Sequence, residues 1–266
     1  MGVFGTQARD LFSLEGKVAV VTGGTRGIGA GICIGFAEAG ADVVLIQRSA
    51  TNTSTKDAIE KMGNKAWIVQ CDLSNAEEVR KVTKYITEDL GLLIDILVNC
   101  GGIQRRHPAE LFPESDWDEV IQVNLKSCWC LARDIGRHIL ETKSQRNGSR
   151  GKIINIASLA SFQGGITVPA YAAAKHGIVG LTKALSNEWV GKGINVNAVA
   201  PGYIATEMNT ALIENPTRSR QIMERIPANR WGSSEDFKGV VIFLASAASD
   251  YVSGDVVTVD GGWMAR

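Results

Sequence analysis

Seven short runs rich in Val, Ile, Leu and Ala recur along the chain, separated by stretches with the length and pattern of helices. They are Lys17–Thr22 (KVAVVT), Asp42–Gln47 (DVVLIQ), Ala66–Asp72 (AWIVQCD), Ile94–Asn99 (IDILVN), Lys152–Ala157 (KIINIA), Asn195–Ala200 (NVNAVA) and Val256–Asp260 (VVTVD). Helices are expected over Ile28–Ala39 and near 56–62, 75–89, 115–141, 169–190 and 234–246. Runs that stay apolar without alternating read as strands buried on both faces, the condition of a parallel sheet crossed by helices. Right-handed crossovers then wind the sheet in both directions. The expected architecture is α/β, a single-domain Rossmann-type doubly wound fold with a seven-stranded parallel sheet.

A length of 266 residues suits one sizeable domain whose core needs no disulfide or metal. No linker and no internal repeat divides it, so residues 11–266 are expected to form a single dinucleotide-binding catalytic domain. Residues 1–10 read as a flexible arm, and Glu141–Arg150 (ETKSQRNGSR) as an exposed loop. Lys and Arg total 28, as do Asp and Glu, which argues against a nucleic-acid or anionic-membrane partner. No apolar run approaches membrane length and Met1–Leu14 lacks a signal pattern, so the expected location is cytoplasmic. The five cysteines, including Cys128 and Cys130 around Trp129, read as small buried apolar residues. His107, in a loop, and His138, in a polar helical turn, have no ligand partner at helical spacing, so no metal is expected.

The first run leads into Thr22-Gly23-Gly24-Thr25-Arg26-Gly27-Ile28-Gly29, with a helix following. A helix start aims unpaired N–H groups and the positive end of its dipole at such a turn, and glycines let a pyrophosphate reach the backbone. Strand before and helix after are the context a dinucleotide site requires. At the end of the second run, a carboxylate would accept from the ribose hydroxyls of NAD, whereas a 2′-phosphate needs cations. Gln47-Arg48-Ser49 has no carboxylate and Arg26 can reach the same phosphate, so NADP(H) is expected over NAD(H). Asp72 is placed to accept from an adenine amino group or to cap the next helix, a role that Ser74 also suits.

Tyr171 and Lys175 lie four residues apart in an expected helix and share one face. A cation beside a phenol stabilises phenolate, which lets Tyr171 give a proton to a carbonyl or take one from an alcohol near neutral pH. Ser158 ends the fifth run thirteen residues earlier, at the carboxyl edge where such sheets bind ligands. Its hydroxyl is placed to hold a substrate oxygen against Tyr171.

Jointly these residues resemble the short-chain dehydrogenase/reductase family across essentially the whole chain. The resemblance implies dinucleotide contacts from Gly23, Thr25, Arg26, Gly27, Ile28, Gly29, Arg48, Ser49, Asp72, Leu73, Asn99 and Gly101. It implies a catalytic set of Ser158, Tyr171 and Lys175, with Asn124 holding a water in a proton relay to Lys175. Tyr171 and Lys175 also face the nicotinamide end of the cofactor, over which Pro201, Gly202, Ile204 and Thr206 close. Asn99-Cys100-Gly101-Gly102 departs from the usual Asn-Asn-Ala-Gly of the family. Longer strings, Gly151–Ser158, Ser161–Gly165, Arg225–Gly232 and Val259–Arg266, resemble the 2-deoxy-D-gluconate 3-dehydrogenase and 2-keto-3-deoxygluconate oxidoreductase group, which acts on sugar acids and polyols. A homotetramer is implied too, supported by an apolar C-terminus, Gly261-Gly262-Trp263-Met264, that is costly to expose.

The expected function is hydride transfer between NADP(H) and the carbonyl or secondary alcohol of a small polyhydroxylated substrate: a sugar acid, keto-sugar or polyol. Loops carrying Gln104-Arg105-Arg106-His107, Gln163 and Tyr203 suit such a molecule, with Arg105 or Arg106 offering bidentate geometry to a carboxylate. Alternatives are a 3-oxoacyl-[acyl-carrier-protein] reductase docking on Arg105-Arg106, a general ketone reductase, or a non-catalytic dinucleotide-sensing protein on the same fold.

Overall fold

The computed structural model describes residues 7–142 and 149–266, so residues 1–6 of the expected arm and 143–148 of the polar loop lie outside the described residues. Strands β1 (Val18–Thr22), β2 (Asp42–Gln47), β3 (Ala66–Gln70), β4 (Ile96–Asn99), β5 (Gly151–Ile156), β6 (Ile194–Pro201) and β7 (Val256–Val259) form one sheet. Their order is β3-β2-β1-β4-β5-β6-β7, and every neighbouring pair is parallel. Helices α1 (Gly27–Glu38), α2 (Ser54–Lys61), α3 (Ala76–Lys84), α4 (Glu114–Ile121), α5 (Ser127–Glu141), α6 (Pro169–Trp189), α7 (Thr210–Ile213), α8 (Pro216–Arg225) and α9 (Lys238–Ala245) follow in chain order. Among the described residues no helix is long and apolar enough to cross a membrane.

Successive strand side chains point to opposite faces, and both faces are covered. Val21, Val43, Leu45 and Ile96 pack with Ile32, Phe36, Phe237 and Val241 on one side. Val20, Val44, Ile46 and Leu97 pack with Val82, Leu131, Ile135 and Trp189 on the other. Continuous apolar runs are the consequence. Strand order reverses between β1 and β4, so the crossovers leave toward opposite faces there and a crevice opens at the carboxyl ends of both strands.

Several boundaries differ from expectation. The stretch 115–141 is α4 and α5 joined by a widened i→i+5 turn at Gln122–Lys126, and 75–89 ends in another at Tyr85–Asp89. The stretch 234–246 opens with a tight 3₁₀ turn, Ser234–Phe237, before α9. Helices α7 and α8 were not anticipated, although Asn215-Pro216 is a start signal: Asn215 Oδ1 accepts from Arg218 N–H at 3.0 Å. All five cysteines are free thiols; burial pushes Cys71 and Cys100 up to about 12.

His138 is more than a polar turn residue. Its Nε2 accepts from the Ile94 N–H at 3.2 Å, fastening α5 to the loop before β4. Burial, opposed by Glu141 and Asp95, holds its pKa below the ordinary histidine value, so folding favours the neutral imidazole. Protons then favour the unfolded chain, and the stability linked to His138 is complete above about pH 6.5 and declines as the pH falls through that value. Melting temperature is expected to drop from pH 7.5 to 5.5, and His138→Gln should flatten that slope; equal slopes in both proteins would contradict this role.

Candidate active site

The crevice at the reversal is a cleft of about 1170 Å³ that runs from the glycine turn to the C-terminal segment. At its nucleotide end, Arg26 precedes α1 in extended conformation and its side chain does not cap the helix, so the first helical N–H groups take no side-chain cap from it. Gly23 takes φ +72°, and a Cβ there would come within 3.0 Å of the Gly101 Cα. A Cβ at Gly29 would overlap the Gly23 carbonyl oxygen. Backbone therefore packs on backbone around an anion-sized cradle, and these residues fit a dinucleotide pyrophosphate. Thr22, which opens the glycine motif, accepts from the N–H groups of Cys100 (2.9 Å) and Gly101 (2.8 Å). That is the local hydrogen bonding of the unusual Asn99-Cys100-Gly101-Gly102 end.

At the adenosine end, Gln47 is buried and its Nε2 donates to the carbonyls of Ser49 (2.6 Å) and Asn52 (2.8 Å), folding the loop that carries Arg48. Arg48 is exposed and makes no ion pair among the described residues, whereas Arg26 is paired with Glu207 across the cleft. Asp72 lies on the cleft wall beside Leu73 and accepts from the Ser74 N–H (2.9 Å) and hydroxyl (2.8 Å). Burial works to raise the Asp72 pKa, but these bonds and the Arg48 charge prevail and hold it below the usual carboxylate range. Neither Asp72 nor Ser74 caps α3. Asn75 does, accepting from the N–H groups of Glu77 and Glu78.

At the other end, Ser158 follows β5, and Tyr171 and Lys175 stand one turn apart on α6, all three on the cleft wall. Lys175 is buried; its Nζ lies 5.6 Å from the Tyr171 ring centroid and donates to the Ile156 carbonyl at 2.6 Å. The Ser158 Oγ accepts from the Ala160 N–H at 3.1 Å, which leaves its own proton to give. Pro201, Gly202, Ile204 and Thr206 also line the cleft, Thr206 against Gly27 of the glycine turn. Two expected residues do not reach the cleft with their side chains. Asn124 is fully buried and clasps the Ile103 backbone, accepting from its N–H and donating to its carbonyl, both at 2.8 Å. Asn99 Nδ2 donates inward to the Cys128 carbonyl (3.2 Å) and to Asn155 Oδ1 (2.9 Å).

The substrate end separates the two arginines. Arg105 is bound to Glu119 at 2.7 Å and lies 4.0 Å from Asp116, which also meets His107 Nε2 at 2.6 Å. Arg106 is exposed on the cleft wall without an ion pair among the described residues. The His107 N–H donates to the Thr167 carbonyl, and Thr167 holds φ +65°, a strained value for a β-branched residue, in the loop after Gln163. Gln163 donates to Met264 Sδ. Trp263 is buried by its own chain, 4.7 Å from Tyr203 and beneath Arg225. The chain itself covers Trp263, whereas the neighbouring Met264 stays exposed.

Similarity to known proteins covers this whole arrangement. A family model described as enoyl-(acyl carrier protein) reductase matches residues 23–264. The 2-dehydro-3-deoxy-D-gluconate 5-dehydrogenase of Bacillus subtilis is 46% identical over 257 residues, 97% of this chain and 98% of that protein. A crystal structure of a gluconate 5-dehydrogenase from Burkholderia cenocepacia, in complex with NADP and tartrate, is 38% identical with a TM-score of 0.91, covering 98% of this chain and 100% of that one. A short-chain type dehydrogenase/reductase from Mycobacterium marinum is 32% identical with a TM-score of 0.88, covering 97% and 99%. Since the matches span both ends of the cleft and the sheet between them, the chain belongs to the short-chain dehydrogenase/reductase family, oxidoreductases that interconvert CH–OH groups and carbonyls with a nicotinamide cofactor.

Proposed function

We propose that this chain is an NADP(H)-dependent oxidoreductase of sugar acids, with Tyr171 as the proton donor and acceptor. The observation that carries the reading is the meeting of Ser158, Tyr171 and Lys175 at one end of a cleft whose other end presents Arg48, which makes no ion pair among the described residues. Relatives named for gluconate, 5-keto-D-gluconate and 2-dehydro-3-deoxy-D-gluconate support the substrate class.

The glycine turn would hold the pyrophosphate, Arg48 and Ser49 the adenosine end, and Lys175 the nicotinamide ribose. When bound, the nicotinamide supplies or accepts the hydride. The Ser158 hydroxyl donates a hydrogen bond to the substrate oxygen and fixes its position, keeping its proton. Tyr171 Oη donates a proton to that oxygen in reduction and withdraws one in oxidation. Lys175 stabilises the phenolate that reduction leaves behind. With its amide committed to Ile103, Asn124 acts as a positioning residue for the loop of Arg105 and Arg106.

Because Arg105 is neutralised by Glu119 and Asp116, Arg106 is the cation assigned to the substrate carboxylate. The same pairing weakens the acyl-carrier alternative, which needed both arginines for docking.

The reading is tested by following nicotinamide absorbance with D-gluconate, 5-keto-D-gluconate, 2-dehydro-3-deoxy-D-gluconate, a neutral polyol and a simple ketone. Turnover of a sugar acid is expected, and turnover of the ketone alone would overturn the substrate class. Tyr171→Phe should lower kcat about 10²–10⁴-fold while the dinucleotide still binds. NADP(H) should be preferred, and Arg48→Asp should cost it roughly ten- to hundredfold in affinity and move preference toward NAD(H). Arg106→Ala should raise KM for the acid by about tenfold and leave an uncharged analogue unaffected; Arg105→Ala should not discriminate between the two. Parent-like kinetics from Arg106→Ala on both compounds would remove the carboxylate assignment.

A further inference from the structure

We propose that Ser161 is a positioning residue of the catalytic centre, its hydroxyl fixing Ser158 relative to Lys175 and, through α6, relative to Tyr171. The proposal rests on the acid/base role of Tyr171 given above. Ser161 lies in the short turn after β5 and is 5% exposed. Its Oγ accepts from the Ser158 N–H at 3.2 Å and donates to the Lys175 main-chain carbonyl at 2.7 Å. The first bond alone would be ordinary turn capping. The second leaves the turn and reaches a different element, at the residue that carries the catalytic ammonium.

Lys175 is thereby held twice to the same stretch of chain. Its Nζ donates to the Ile156 carbonyl, two residues before Ser158, and its carbonyl accepts from the residue three after it. The two attachments flank Ser158, so sliding α6 against the end of β5 breaks one of them. Ser158 and Tyr171 address one substrate oxygen from different elements, and their separation has to be set by contacts between those elements. Ser161 supplies such a contact with a buried, directional hydroxyl. Without it, the Ser158 N–H loses its acceptor and the turn loses its hydrogen bond to the Lys175 carbonyl, so that of the two attachments only the one from Lys175 Nζ still ties that residue to the end of β5.

The effect expected of a small misplacement is on the chemical step. A shift of about 1 Å costs on the order of a hundredfold in rate when the reacting groups are otherwise intact. The test compares the full-length parent with Ser161→Ala and Ser161→Thr on whichever compound of the substrate survey the parent turns over. An error in the sugar-acid assignment thus leaves the ratio of variant to parent unaffected. Ser161→Ala is expected to lower kcat roughly ten- to hundredfold with KM for the dinucleotide within about threefold of the parent. Ser161→Thr, which keeps the hydroxyl, should recover most of the loss. The proposal is overturned by parent-like kcat in Ser161→Ala, by equal losses in both variants, or by a loss of dinucleotide affinity that tracks the loss of kcat.

Discussion

Where the ladder between β1 and β4 stops, two consecutive N–H groups of the β4 end are left without a strand, and one hydroxyl takes both. Thr22 is 1% exposed and accepts from Cys100 and Gly101 directly beneath the glycine turn. An unpaired buried N–H costs about 1–3 kcal/mol, so this arrangement holds the two strand ends together at the point where the crossovers diverge. The turn can then approach Gly101 closely, and the start of α1 faces the crevice instead of the core. The close approach of the glycine turn to Gly101 depends on this closure.

The catalytic end is built on a comparable device. Beneath it Asn99 donates to Asn155, Asn155 to Thr182 and Thr182 to the Ile178 carbonyl, a buried polar chain that ties β4 to β5 and β5 to α6. Such a chain is costly to bury unless its members are paired, and when paired it fixes one mutual placement of the elements. Ser158 leaves the end of β5 and Tyr171 stands on α6, so their geometry is inherited from these bonds. Hydrogen bonds to Ser161 and Ile156 refine it at the surface of the cleft.

The sheet was legible because both faces are covered: Val20 and Val21 pack on opposite sides and both had to be apolar. The glycine turn and the Tyr171/Lys175 pair were legible for a similar reason, since each is a local pattern that one element enforces. What sequence reasoning missed is tertiary. The Glu207 that engages Arg26 lies 181 residues away, and the Asp116 and Glu119 that neutralise Arg105 become neighbours only when α4 packs beside the loop after β4. Asn99 sits at a motif position but its side chain turns inward, because Asn155 is its register partner on the next strand. Helix α8 was the avoidable omission, with Asn215-Pro216 announcing it, while the widened turn that houses Asn124 leaves no residue-type signature.

The most direct measurement is a crystal structure of the protein with NADP⁺ and a sugar-acid substrate bound together. Both Tyr171 Oη and Ser158 Oγ should lie within about 2.6–3.2 Å of the same substrate oxygen, with the carboxylate directed toward Arg106. A substrate whose reacting oxygen is held by other groups, with Tyr171 Oη turned away from it, would contradict the assignment of Tyr171 as the acid and base of this enzyme.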